Sequence, residues 1–337
     1  LSFPTGELRL ALCPACGFVT NTAFDPLLQD YSLDYEETQA FSPHFVEFLE
    51  ELARDWVERY DLRGKRVLEI GSGKGEFLLL LHELGVADAI GVDPGFVPGR
   101  VEERPGLRFL RELYSERHAG LEPDAIVCRH TLEHIQPVGD FVRGLRASLL
   151  LFELPDVLRV LREGAFWDLY YEHASYFSPG SLARLFRSAG HEVLELELTY
   201  DDQYILIEAR PGEGGRLPLE EPPGVVAQAV AEFRRVHGET ESRWRERLAA
   251  AERPVIWGAG SKGVAFLTTL GAGIELAVDV NPFKQERFLA GSGVQVVAPE
   301  ALREYRPDLV VAMNPVYLGE IGSTLSGLGV ETHLEAV

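Results

Sequence analysis

Val67-Leu-Glu-Ile-Gly-Ser-Gly-Lys-Gly-Glu-Phe-Leu78 is the stretch that decides how this chain folds. Val67, Leu68 and Ile70 read as a buried parallel strand. The run breaks into Gly71, Gly73 and Gly75, then resumes with helical spacing at Phe77, Leu78 and Leu81. Glycines at such a junction let the backbone turn sharply and let a ligand approach the amides that open a helix. A second apolar run, Ala89-Ile-Gly-Val92, ends in Asp93, 22 residues beyond Gly71. In an α/β sheet an acid at that strand tip can accept both hydroxyls of a ribose. The plainer alternative is a glycine-rich turn in some other doubly wound fold.

Composition narrows the class. At 337 residues the chain is long for one core, so two or three domains are expected. Hydrophobic residues at 46% and charged residues at 25% are ordinary for a globular protein. A net charge of −21 argues against nucleic-acid partners, which demand clustered Lys and Arg. No apolar run approaches the roughly 20 residues of a membrane span, and there is no signal-peptide pattern. A cytoplasmic, non-membrane protein is therefore expected. The only methionine is Met313 and the chain starts at Leu1, from which missing upstream residues are expected. Oligomeric state is not fixed by any of these features.

Two of the three cysteines form Cys13-Pro-Ala-Cys16-Gly17, a turn that aims two thiols at one point. The expectation is half of a structural zinc knuckle with two further ligands upstream; the alternative is a redox or free pair.

Four regions are expected. Residues 1–40 are an irregular, partial zinc-binding segment with tyrosines at Tyr31 and Tyr35. Residues 41–210 hold the first glycine loop: Ser42-Pro43 opens a helix with Phe45, Phe48, Leu49, Leu52 and Trp56 on one face. Strand candidates follow at 124–128, 148–152, 193–198 and 204–208, the last two close enough to pair as a hairpin. Residues 211–253 are a Pro/Gly-rich linker and a charged helix. Residues 254–337 repeat the strand–loop–helix theme: Val255-Ile-Trp257, then Gly258-Ala-Gly260-Ser-Lys262-Gly263, with Asp279 21 residues beyond Gly258. This loop fits G-x-G-x-x-G, whereas the first does not. It can present amides and Lys262 to the diphosphate of a nucleotide-sugar, bind NAD(P), or serve packing alone.

A cluster that could carry chemistry lies between the fifth strand and the next helix: Tyr170, Glu172 and His173, with Tyr176 and Phe177 close behind. A histidine is a suitable base near neutral pH, and a carboxylate can fix its tautomer. The bland alternative is an aromatic core with one satisfied histidine. Arg129-His130 and Glu133-His134 form a second polar group at the same carboxyl edge of the sheet, where open α/β sheets bind ligands. Arg129 is a candidate for the cofactor carboxylate, and His130 and Tyr176 are candidates for substrate.

Glu69 before the loop, the G-x-G-x-G spacing and Asp93 resemble the class I S-adenosylmethionine (SAM) methyltransferases. The order of Cys-x-x-Cys, tyrosine-bearing segment, SAM loop, Tyr170-x-Glu172-His173-x-x-Tyr176-Phe177 and a C-terminal Gly-Ala-x-x-Lys-Gly domain resembles more specifically the zinc-binding, three-domain sugar C-methyltransferases. Those enzymes methylate nucleotide-linked deoxyketosugars. The resemblance covers nearly the whole chain. It implies an α/β methyltransferase domain followed by a smaller Rossmann-like domain that helps hold the nucleotide-sugar. It also implies His173 as base, Glu172 and Tyr170 orienting it or the sugar, and Glu69, Gly71, Ser72, Gly73, Gly75 and Asp93 around SAM. The chain departs from the family at Ser72-Gly-Lys-Gly75, usually Ser-Asn-Asp-Gly, in lacking a first cysteine pair, and at Arg129-His130. Competing expectations are an O- or N-methyltransferase on the same scaffold, an NAD(P)-linked oxidoreductase using the 258–263 loop, and a non-catalytic sugar-nucleotide binder.

Overall fold

The computed structural model describes residues 5–28, 36, 38–102, 104–271 and 273–337. Tyr31 and Tyr35 lie outside the described residues. The N-terminal segment is not wholly irregular: β1 (Leu10–Leu12) and β2 (Val19–Asn21) pair as an antiparallel hairpin, and the cysteine turn joins them. Helix α1 (Pro43–Arg59) starts where Ser42 Oγ accepts the Phe45 amide at 3.3 Å, with Pro43 in the first turn. Its apolar face buries Phe45, Leu49, Leu52 and Trp56, each contributing about 1.5–3 kcal/mol. Trp56 keeps its one polar atom satisfied by donating to Glu208 at 2.8 Å.

Five parallel strands make most of the central sheet: β3 (Arg66–Ile70), β4 (Asp88–Val92), β5 (Leu107–Leu110), β6 (Ala125–Arg129) and β7 (Leu149–Pro155). The crossovers carry helices α2 (Glu76–Glu83) and α3 (Val138–Gly144). Val67, Leu68, Ile126, Val127, Leu150 and Leu151 are wholly buried, as strands covered on both faces require. After β7 come α4 (Val157–Glu163), then β8 (Ser175–Tyr176), which leaves the sheet to pair with β2, and α5 (Pro179–Ser188). The hairpin β9 (His191–Thr199) and β10 (Tyr204–Pro211) completes the order β5-β4-β3-β6-β7-β10-β9. β10 runs antiparallel between β7 and β9, which is the class I methyltransferase arrangement. Strand β5 escaped the sequence reading because it is four residues long and carries Arg108 inside it.

Helix α6 (Pro223–Ala249) packs along α4 and leads into a second parallel sheet. This unit contains β11 (Pro254–Trp257), α7 (Ser261–Leu270), β12 (Leu276–Val278), β13 (Gln295–Val297), α8 (Leu302–Tyr305), β14 (Leu309–Ala312), α9 (Leu318–Leu328) and β15 (His333–Ala336). Its order is β13-β12-β11-β14-β15. The two sheets are joined by a shared core of Phe166, Trp167, Trp244 and Phe266. The β9–β10 turn adds polar ties, with Tyr200 OH on Tyr317 OH at 2.8 Å and Gln203 Nε2 on Asn314 Oδ1 at 2.9 Å.

Candidate active site

In an open parallel sheet the crevice lies beyond the carboxyl ends of the strands where the order reverses. In the large sheet that point is between β3 and β6, and in the small sheet between β11 and β14. Both crevices open on one cavity of about 1470 Å³, reached by Glu69 and Arg129 from one side and by Gly258 and Asn314 from the other. A single small-molecule pocket occupies about 300–1,000 Å³, so this space suits two ligands.

The first loop needs its glycine at 71. Gly71 has φ +73°, and a Cβ there would lie 1.9 Å from Thr131 Oγ1. Asp93 ties the loop down: its Oδ2 accepts the Gly73 amide at 2.8 Å and its Oδ1 the Gly95 amide at 2.6 Å. Burial raises the Asp93 carboxyl above its ordinary range, against the pull of those amides. Glu69 ends β3 in the same wall, 2% exposed, with Oε2 lacking a hydrogen-bond partner. Burial pushes its carboxyl up to about 8, although Arg129 draws it down. Ser72 Oγ is also buried without a partner. These unpaired polar atoms beside a glycine turn are what a polar, partly cationic ligand would satisfy. Gly75 does not line the cavity; at φ +94° it starts α2 against Phe109.

Arg129 Nε donates to Glu153 Oε2 at 2.7 Å and its guanidinium lies 4.3 Å from the Phe77 ring centre, while Nη2 is buried without a hydrogen bond. His130, with φ +46°, places Nε2 2.8 Å from Glu153 Oε1. Burial opposes charge on His130, but Glu153 and Glu133 outweigh it and raise the imidazolium to about 9. Burial likewise disfavours the Glu153 carboxylate, yet Arg129 and His130 hold it well below its ordinary range.

His173 lies on the same wall, 5% exposed, its ring 4.2 Å from that of Tyr170 and 4.9 Å from that of His134. Burial, helped by His134, pushes its imidazole down to about 3 despite Glu133, so it stands neutral. Tyr170 and Glu172 line the cavity beside it. Tyr176, expected at the substrate, is a correction: it is a β8 residue packed with Val19, Val157 and Val226, and its hydroxyl donates to the Tyr170 carbonyl at 3.0 Å. The segment bearing these residues also follows α4 rather than the fifth strand directly.

The second loop repeats the first. Gly258 has φ +119°, and Asp279 accepts the Ala259 amide on Oδ2 and the Asn281 amide on Oδ1, both at 2.8 Å. Gly260 caps α7, whose first turn faces the cavity. Lys262 Nζ reaches across to Asp168 Oδ1 at 3.0 Å in the first unit. Sequence reasoning missed Asp168, Glu153 and Gln203. Glu153 carried a usable signal, a lone acid inside an apolar strand, the same feature that marked Glu69.

Cys13 and Cys16 stand in the β1–β2 turn, outside the cavity. The Cys16 thiol lowers the Cys13 pKa. Among the described residues no third His, Cys or carboxylate joins them.

A family profile described as a methyltransferase domain matches residues 45–196, and one described as a C-methyltransferase C-terminal domain matches residues 229–329. The chain is a SAM-dependent methyltransferase. This methyltransferase is 28% identical to the C-methyltransferase NovU of Streptomyces niveus, covering 93% of this chain and 81% of that protein. It is similar in structure to the magnesium protoporphyrin IX methyltransferase ChlM of Synechocystis PCC 6803 with bound SAH, at 16% identity and a TM-score of 0.42 over 53% of this chain and 91% of that one. The 1,6-didemethyltoxoflavin-N1-methyltransferase of Burkholderia thailandensis aligns at 18% identity and a TM-score of 0.36, over 49% of this chain and 79% of that one. No helix among the described residues is long and apolar enough to cross a membrane.

Proposed function

We propose that this enzyme methylates a carbon of a nucleotide-linked ketosugar, with His173 as the base. The observation that carries the reading is the single cavity onto which both glycine loops open, with a neutral His173 on its wall. Carbon as acceptor is supported by the C-methyltransferase description of the profile over 229–329 and of the relative. A nucleotide diphosphate suits the start of α7, where backbone amides converge beside Lys262, Gly258 and Gly260. Glu69, Gly71, Ser72, Gly73 and Asp93 would hold SAM, with Arg129 beside its carboxylate. His130, Tyr170 and Glu172 would face the sugar.

Carbon methylation requires a carbon nucleophile. His173 removes the proton alpha to the ketone; the C–H electron pair moves into the enolate, and a new N–H bond forms on the imidazole. His130, protonated beside Glu153 and lining the cavity, would put positive charge near the developing enolate oxygen. SAM held by the first loop would supply the electrophilic methyl to that enolate carbon and leave as the thioether. His173 then returns its proton to solvent. Alignment of both partners in one cavity supplies much of the remaining acceleration. The Cys13–Cys16 turn lies outside the cavity and takes no part in these steps.

Enolisation needs no methyl donor. With SAH in place of SAM and a dTDP-linked 4-keto-6-deoxyhexose as probe, the enzyme should exchange the alpha proton for solvent deuterium. His173→Ala should lose both exchange and methylation and keep its SAH affinity. Full methylation by that variant would return His173 to a structural role, and a methylated oxygen without carbon exchange would overturn the carbon reading.

A further inference from the structure

Among the described residues, Glu133 is the one buried carboxylate of this site whose two oxygens both lack a hydrogen-bond partner, although it is only 2% exposed. Placing a carboxylate in such a position is costly unless something nearby compensates its charge. Its neighbours are three histidines rather than an arginine. Its Oε1 lies 3.8 Å from His130 Nδ1 and 4.0 Å from His173 Nε2, and donor atoms of Glu133, His134 and His173 fall within 4.8 Å of one another. The turn Leu132–His134 after β6 fixes it there, at the edge where the cavity meets the Tyr170–His173 loop.

Burial pushes the Glu133 carboxyl up, but His130, His134 and His173 together hold it below its ordinary range, so it remains an anion. His130 already shares its cation with Glu153 at 2.8 Å. His173 is neutral at rest. A proton arriving on His173 therefore creates a cation 4.0 Å from an anion whose other near cation, His130 at 3.8 Å, is already shared with Glu153. The other groups facing His173 do not offer this. His134, His130 and Lys262 oppose its charge, and the rings of Tyr170 and Tyr176 pack against it, with Glu172 next in sequence lining the cavity.

We propose that Glu133 is the positioning residue of the base: it holds the His173 imidazole by charge and stabilises the imidazolium that proton abstraction creates. This rests on His173 being the base. The proton balance is unchanged, since the proton stays on His173 and Glu133 never takes it.

The test compares wild type, Glu133→Gln, Glu133→Asp and His173→Ala by solvent deuterium exchange with SAH and the dTDP-linked ketosugar, with kcat and KM of methylation read separately. Glu133→Gln should keep SAH affinity and the ketosugar KM and slow exchange and kcat 10- to 100-fold, because the imidazolium formed by proton abstraction loses its anion. Glu133→Asp should restore part of the rate. If His173→Ala still exchanges, the base assignment itself falls. If His173→Ala is dead while Glu133→Gln exchanges at the wild-type rate, the proposal alone falls. Should Glu133→Gln fail to bind SAH, the Glu133→Asp rate decides, an Asp variant as dead as His173→Ala overturning the proposal. A divalent metal carried stoichiometrically by wild type and lost from Glu133→Gln would also overturn it.

Discussion

The two glycine loops of this protein share a backbone and differ in charge. In each, an aspartate at the tip of the second strand accepts one loop amide on Oδ2 and an amide two residues after itself on Oδ1, through Asp93 in the first unit and Asp279 in the second. What surrounds that frame diverges. The residue two before the first glycine is the buried acid Glu69 in one loop and the wholly buried Ile256 in the other. The lysine inside the first loop, Lys74, is 1% exposed and donates to the Gly95 carbonyl at 3.0 Å. Lys262 in the second lines the cavity, and Lys284 Nζ stands 3.6 Å from Asp279. One loop offers buried acid to a ligand carrying ammonium and sulfonium charge. On the proposed reading the other would offer amides and the cavity-lining Lys262, paired with Asp168, to an anion. Loop geometry says where a ligand sits, and the flanking charges say which kind.

The comparison breaks most sharply at the glycines. Gly71→Ala puts a Cβ 1.9 Å from Thr131 Oγ1 at a left-handed φ, so it should cost about 1–3 kcal/mol of stability and reduce SAH affinity at least 100-fold. Gly258→Ala meets Met313 Cβ at 3.1 Å, with φ +119°, and should harm dTDP binding and leave SAH binding intact. Calorimetric titration of both ligands against both variants reads this directly. Loss of both ligands from either variant would mean that the loops are not separate sites.

A smaller effect separates the side chains. Asp93→Ala should weaken SAH at least tenfold, about 1.4 kcal/mol, with dTDP affinity unchanged. Lys262→Ala should do the reverse, weakening dTDP roughly tenfold. Its partner Asp168 keeps Arg159 at 3.4 Å, so the substitution does not strand a buried charge. An unchanged dTDP affinity would remove Lys262 from the diphosphate site.

How much of this was legible in the sequence depended on range. Gly71, Asp93, Gly258 and Asp279 announce themselves because strand–loop–helix and the acid some 20 residues on are local patterns. His173 stood out through clustering with Tyr170 and Glu172. The β9–β10 hairpin was visible as two apolar runs close together. Strands β1, β2, β13 and β15 were not, being three or four residues long, with β2 also pairing β8 far along the chain. For the same reason the meeting of Lys262 with Asp168, 94 positions apart, and of Glu133 with His173 left no local trace. Tyr176 misled because a tyrosine near a histidine looks functional, whereas the pairing of β8 with β2 packs it into the core.

The subtlest difference between the loops is pH. Only the first has a buried acid at its strand end, and Glu69 sits up at about 8 against an ordinary value near 4.3. Between those values the folded protein holds a proton that the unfolded chain has released, so Glu69 makes stability fall as pH rises through this window. Binding a cationic amine reverses the balance, because the carboxylate form then gains a partner. SAH affinity should therefore rise a few-fold from pH 6 to pH 8, with proton release on binding, while dTDP affinity at the second loop lacks this dependence. Glu69→Gln should flatten the SAH profile and remove the acid's share of the stability slope. Isothermal titration in buffers of different ionisation enthalpy counts the protons directly. A wild-type SAH profile that is flat between pH 6 and 8 would mean that Glu69 does not face the ligand's charge, and the electrostatic contrast between the two loops would then rest on the lysines alone.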